Sequence, residues 1–390
     1  MTLKGKNGKR YTLGKQIGAG GEGIIYSVQG NPDIVAKLYK EGTTPKKLEL
    51  AEKKLAVMAE DKAFDPYNDG HLRFAWPLDL LYDGARFVGF IMPLANDTFQ
   101  FHEIIREDQR SKFSQYSYDH SIAVAFNLAQ TLRYVHDHGY VIGDMNLKNF
   151  RFDGECRVIV LDTDSFDVTD KKTGVHYKCM VGMDEYLAPE LQGCGSLELE
   201  KNQFTRESDY FSLAVLIFRC LMEGAHPFNA PKIKNSADYQ SSSAAAGAMT
   251  DIINGLCPYV RGGTGKKVPR YAPDFAMLPA ELQELFRRTF DYTQTTAIRS
   301  IPNRATAEEF ANSLNRFYHR KKTTCPTDNR HHYLSRLGYC PFCAAKRRQK
   351  QPAAEAVSAT AGVAAAAGTA ATPPPGLTKV IGAALKAVCL

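Results

Sequence analysis

Residues 136–166 read His-Asp-His-Gly-Tyr-Val-Ile-Gly-Asp-Met-Asn-Leu-Lys-Asn-Phe-Arg-Phe, then a short turn, then Val-Ile-Val-Leu-Asp-Thr-Asp-Ser-Phe. Asp144 and Asn149 stand five apart in a loop, and Asp162 closes a run of β-formers. An amide and two carboxylates delivered by neighbouring strand ends can hold a divalent cation, with one carboxylate left to orient a hydroxyl. Oxygen donors suit Mg²⁺, which keeps some waters and shares its shell with substrate phosphates. Val158, Val160 and Asp162 share a face if the strand runs on, which favours Asp162 as the ligand. Asp164 is the alternative if the register slips by two, or a second ligand.

Upstream, Gly18-Ala19-Gly20-Gly21-Glu22-Gly23 interrupts a β-hairpin. Without Cβ atoms these residues let backbone amides approach phosphates. Strands on both sides favour a flap over a Rossmann turn, which would open a helix. Residues 34–39 form the next strand and carry Lys37. From Pro45, the positions Leu48, Ala51, Leu55 and Met58 recur at helical spacing. Asp83-Gly84-Ala85-Arg86 joins two more strands, and Ile122, Val124, Leu128, Leu132 and Val135 describe a long buried helix. Downstream, residues 169–183 are polar and lead to Glu185-Tyr186-Leu187-Ala188-Pro189-Glu190. Residues 208–218 are apolar nearly all round, as in a central buried helix. Residues 241–247 read as a small-residue loop, and 278–290 and 305–317 as amphipathic helices.

In that order these motifs resemble the protein kinases. With the Gly143-Asp144-Met145-Asn146 loop, the Asp162-Thr163-Asp164-Ser165-Phe166 block and a Cys/His tail, the chain is most similar to bacterial serine/threonine kinases of the YegI type. The resemblance implies an α+β, two-lobed fold: a β-rich N-lobe over 1–94 and a mainly helical C-lobe over 95–319. It implies that Gly18, Gly20, Gly23, Ile25, Ala36, Met92 and Leu94 surround ATP, and that Lys37 meets its phosphates. Glu52, with Glu49 as rival, would hold that lysine. Asn149 and Asp162, joined by Asp164, would bind Mg²⁺, and Asp144 would orient a protein hydroxyl. Met92-Pro93-Leu94 would be the hinge. Glu190 would pair with Arg304, and Asp209 would accept from the catalytic-loop backbone. The implied activity is transfer of the γ-phosphate to serine or threonine, with autophosphorylation. A PP2C-like phosphatase and a von Willebrand A-type protein are the implied partners. Gly143 stands where kinases keep an arginine that reads activation-loop phosphate, so activity independent of that phosphate is expected. A small-molecule phosphotransferase and a nucleotide-binding pseudokinase scaffold are the alternatives.

Within 320–350, Cys325, Cys340 and Cys343 with His331 or His332 have the spacing of a Cys₃His zinc site. The basic run 346–350 reads as a solvated flank rather than a nucleic-acid contact. Residues 351–378 form an Ala/Pro-rich linker, followed by a short segment over 379–390. At 390 residues with 44% apolar and 23% charged content, the chain reads as globular. A net charge of +7 does not demand a nucleic-acid partner. No apolar run approaches the roughly 18 residues of a membrane span. No signal peptide follows Met1, and scattered cysteines point to reduced thiols, so a cytoplasmic setting is expected.

Overall fold

Alternation of buried and exposed side chains builds the first strand, Thr2–Gly5 (β1), with Leu3 turned inward. It is followed by β2 (Arg10–Ala19), β3 (Gly23–Val28) and β4 (Asn31–Tyr39). After a small hairpin of β5 (Tyr67–Asn68) and β6 (His71–Leu72) come β7 (Asp79–Asp83) and β8 (Arg86–Pro93). The antiparallel order β1-β2-β3-β4-β8-β7 closes into a barrel, because β1 pairs with β2 on one side and β7 on the other. Its interior is filled by Leu3, Tyr11, Leu13, Val28, Ala36, Leu81 and Ile91. The computed structural model describes residues 1–193, 203–229, 244–293 and 304–350. The linker and end segment expected over 351–390, and part of the 241–247 insert, lie outside the described residues.

Helix α1 (Pro45–Glu60) begins where Thr44 caps the Lys47 amide and Pro45 supplies a preset first turn. Its buried residues are Leu55 and Met58, and the Met58 carbonyl accepts from the Trp76 indole. The C-terminal half is mainly helical: α2 (Phe101–Ile105), α3 (Tyr118–Asp137), α4 (Arg206–Leu221), α5 (Ala244–Ile253), α6 (Ala280–Phe290) and α7 (Ala307–His319). As its composition requires, α4 is buried almost throughout, and Phe211, Phe218, Phe228, Phe286 and Phe290 interlock around it. This is the β-rich and helical two-lobed architecture expected.

Between the lobes, β9 (Phe99–Gln100), β10 (Phe150–Phe152) and β11 (Val158–Val160) form a short sheet. The expected shared strand face of Val158, Val160 and Asp162 is not formed. β11 stops at Val160, and Asp162 instead caps a 3₁₀ turn over Thr163–Ser165. The last helix, α8 (Pro341–Lys350), follows the Cys/His segment and lies on the C-lobe. Arg348 donates to the Ala272 carbonyl and Lys346 pairs with Glu107 at 2.6 Å, so these basic residues serve packing.

Candidate active site

Strand register decides which side chains of the N-lobe face the cleft. Lys37 on β4 pairs with Ile25 on β3 and Phe90 on β8, and Val35 pairs with Met92. Cross-strand partners and alternate residues share a face, so Ile25, Val35, Lys37, Phe90 and Met92 line one surface. Ala36 therefore points the other way. It is fully buried in the barrel interior, and Val35 is the residue that shares the Lys37 face. Sequence reading went wrong by one residue, which on a strand reverses the face.

The glycine flap closes between β2 and β3. Gly18 pairs with Ile25, and the Gly20 amide donates to the Gly23 carbonyl at 2.8 Å. A Cβ on Gly23 would lie 2.8 Å from the Leu38 carbonyl and 3.2 Å from Lys37 Cγ, so glycine lets the flap rest on the lysine stem. At the far end of β8 the Leu94 amide donates to the Asp33 carbonyl at 2.9 Å. The Leu94 amide is thus already taken, and the next N–H along is that of Ala95.

Lys37 is buried, and its Nζ lies 2.6 and 2.8 Å from the two Asp164 oxygens and 2.8 Å from Asp162 Oδ1. Burial opposes its charge, but the two carboxylates hold its pKa above the ordinary lysine value. Burial and the neighbouring Asp164 charge push Asp162 up to about 6. Burial would also raise Asp164, but the Lys37 ammonium outweighs it and holds Asp164 below the usual carboxylate range.

The expected partnership of Lys37 with Glu52 is not formed. Glu52 accepts from the Tyr82 hydroxyl at 2.8 Å, and its rival Glu49 pairs with the exposed Lys53 at 2.6 Å. Residues two apart on a helix differ by about 200° around the axis. With Leu55 and Met58 turned inward, it is Lys54 that reaches the loop after β11, donating to the Phe166 carbonyl at 2.7 Å. Sequence reading also missed Tyr39, whose hydroxyl donates to Asp164 at 3.3 Å, and Tyr82.

On the C-lobe side, Asp144 is fixed by two amides. Asn146 Nδ2 donates to Oδ1 at 2.9 Å and Asn149 Nδ2 to Oδ2 at 3.0 Å. The loop beneath is held by buried Asp209, which accepts from the Ile142 and Gly143 amides at 2.8 and 2.9 Å and from His136 at 2.9 Å. Arg304 grips Glu190 through both guanidinium ends, at 2.7 and 2.6 Å.

Gly143 adopts φ +75°, and a Cβ there would lie 2.7 Å from Cys179 Sγ. The polar segment 169–183 thus occupies the space an arginine would need. Asp167 ties that segment down, accepting from the Cys179 amide at 3.1 Å and bonding His176, while Val141 and Asp167 exchange backbone hydrogen bonds.

A second cluster gathers Cys325, His331, Cys340 and Cys343, with all ligand atoms within 4.8 Å of one another. Cys325 Sγ and Cys343 Sγ are 3.6 Å apart; tetrahedral bonds of about 2.3 Å put two sulfurs roughly 3.8 Å apart. His331 Nδ1 lies 3.6 Å from the sulfurs of Cys340 and Cys343, and its Nε2 faces Asp328 at 3.4 Å. Burial lowers His331 to about 4, which leaves it neutral, as a ligand must be. His332 is engaged elsewhere, by Asp119 at 2.7 Å. The donor set fits Zn²⁺, and the oxygen donors of Asn149 and Asp162 suit a hard cation such as Mg²⁺, while both oxygens of Asp164 are engaged by Lys37.

The family described as protein kinase domain matches residues 11–313. The chain is 31% identical over 343 residues to a protein named Protein kinase YegI from Escherichia coli strain K12, covering 86% of this chain and 49% of that relative. The protein of the same name from Escherichia coli O157:H7 is 30% identical over 349 residues, covering 88% and 50%. Serine/threonine-protein kinase N2 of Danio rerio is 28% identical over 180 residues, covering 44% and 16%. The chain spans about half the length of the two bacterial relatives. It belongs to the protein kinase family.

Proposed function

We propose that the chain is an ATP- and Mg²⁺-dependent serine/threonine protein kinase that phosphorylates itself and protein partners in bacterial signalling. The observation that carries this reading is the held carboxylate of Asp144, flanked by Asn149, together with Lys37 on β4 bonded to Asp162 in the loop after β11. When bound, ATP with its Mg²⁺ supplies the transferable phosphoryl group and a neutralising dication.

Asp144, aimed by Asn146 and Asn149, orients a serine or threonine hydroxyl and accepts its proton. Lys37 meets the phosphate oxygens, Asn149 and Asp162 hold the cation, and the glycine flap covers the phosphates with backbone amides. Ile25, Val35 and Met92 offer an apolar surface to a base. Positioning and charge neutralisation are the bulk of the chemistry. The serine/threonine preference draws support from the name of the Danio rerio relative.

We also propose one Zn²⁺ on Cys325, His331, Cys340 and Cys343, contributing folding energy rather than catalysis. A PP2C-like phosphatase and a von Willebrand A-type protein are proposed partners and the cytoplasm the proposed setting. Among the described residues no helix is long and apolar enough to cross a membrane.

Incubation with γ-labelled ATP and Mg²⁺ tests the reading. Label on serine or threonine in the parent, absent from Asp144→Ala, supports it. Nucleotide binding with no transfer to the chain or to generic protein substrates would replace it with a scaffold role.

A further inference from the structure

Two acids meet Lys37, and they are not equivalent. Asp164 gives both oxygens to the ammonium, also accepts from Tyr39, and has 3% of its side chain exposed. Asp162 gives one oxygen and leaves 34% of its side chain exposed. A cation ligand must present lone pairs to the cleft and to shared phosphates, which suits Asp162. A permanent counter-ion must be buried, chelated and additionally hydrogen-bonded to offset its desolvation, which suits Asp164. The helix acid that would otherwise hold the lysine is committed to Tyr82, and α1 turns Lys54 toward this loop instead.

We propose that Asp164 is the fixed counter-ion of Lys37, a positioning residue that takes the part expected of Glu52, and that Asp162 alone of the two acids serves the cation. The lysine is then set by the loop after β11, which continues the β10–β11 pair, and not by an acid of α1. α1 reaches Lys37 only at second hand, through Lys54 on the Phe166 carbonyl of that loop, so a shift of this helix would act on phosphate positioning through the loop and not through an acid of its own. The inference rests on the reading of Lys37 and Asp162 as nucleotide and cation residues.

Two measurements test it. The first is a crystal structure of the protein with a non-hydrolysable ATP analogue and Mg²⁺. Lys37 should still contact Asp164, with Asp162 and not Asp164 in the Mg²⁺ shell. A Lys37–Glu52 contact, or Asp164 on the metal, overturns the proposal.

The second is steady-state kinetics as a function of Mg²⁺. Asp164→Asn should lower kcat about 100-fold with the half-saturating Mg²⁺ changed less than about twofold. Asp162→Asn should raise that Mg²⁺ requirement about tenfold or more, and Glu52→Gln should lose at least about tenfold less kcat than Asp164→Asn. A Glu52→Gln loss equal to that of Asp164→Asn, or a raised Mg²⁺ requirement in Asp164→Asn, overturns it. Should Asp164→Asn show no cooperative thermal transition, Glu52→Gln decides: a kcat within fivefold of the parent supports the proposal, and a loss of 100-fold overturns it. A parent that binds the analogue but transfers no phosphate would sink the kinase reading, while the bound contacts would still decide the counter-ion. A parent that binds no nucleotide sinks both.

Discussion

The cleft and the Cys/His cluster are both assembled in advance, by opposite means. In the cleft, charge opposes charge: Lys37 is clasped by two acids, and Asp144 is steadied by two neutral amides. In the tail, nearly neutral groups are brought together by covalent turns and packing. His331 stacks on Phe342 with ring centroids 4.9 Å apart, and Phe342 meets Tyr118, at the start of α3, at 4.8 Å. The Tyr118 amide also donates to the Arg330 carbonyl at 2.9 Å. In the first site Asp144 is only half-buried, so trimming it should leave the fold around it intact. The second is tied to the helix that leads into the catalytic loop, so losing its geometry should be felt as stability.

The sharpest way to break this contrast is Asp144→Ala. Phosphate transfer should fall about 10³-fold, as loss of a general base does, while metal analysis still finds one zinc per chain. Next is the double replacement of Cys340 and Cys343 by serine. Zinc should vanish and the thermal midpoint should drop by roughly 4–5 °C, equivalent to about 3 kcal/mol for a domain of this size. Nucleotide affinity of the folded fraction should change little. An unchanged midpoint would show that the cluster does not brace α3.

Smaller is Gly143→Ala, which places a Cβ against Cys179 at a positive φ. It should cost about 1–3 kcal/mol in denaturant unfolding, and tests whether the segment after β11 is packed rather than merely nearby. Smallest is Thr173→Ala. Thr173 donates to Asp170 in an exposed turn, and Gly143 stands where an arginine would read a phosphate. Autophosphorylation rate should change less than about twofold. A severalfold gain traced to phosphate on Thr169 or Thr173 would overturn that view.

Legibility followed distance along the chain. The Asp144–Asn149 loop, the flap glycines and the Glu185–Glu190 block could be read because their chemistry sits in short, fixed spacings. Arg304 with Glu190 could be read across a long gap because a buried carboxylate demands a cation. Ala36 was misassigned because only pairing with β8 fixes which face Lys37 shares. Glu52 was misassigned because the Leu55–Met58 face, legible in the spacing, does not reveal that Tyr82 stands opposite Glu52. The choice between His331 and His332 was open until Asp119 claimed one of them. Strand β1, at four residues, is too short to show a period.

That short strand has a practical consequence. The family match starts at residue 11, so a fragment trimmed to the match would lack β1. The barrel would then open along β2 and β7, leaving two bare rows of amides and carbonyls facing water. Such rims recruit one another, and material prepared that way should clump on concentration, whereas protein keeping Thr2–Gly5 should stay dispersed.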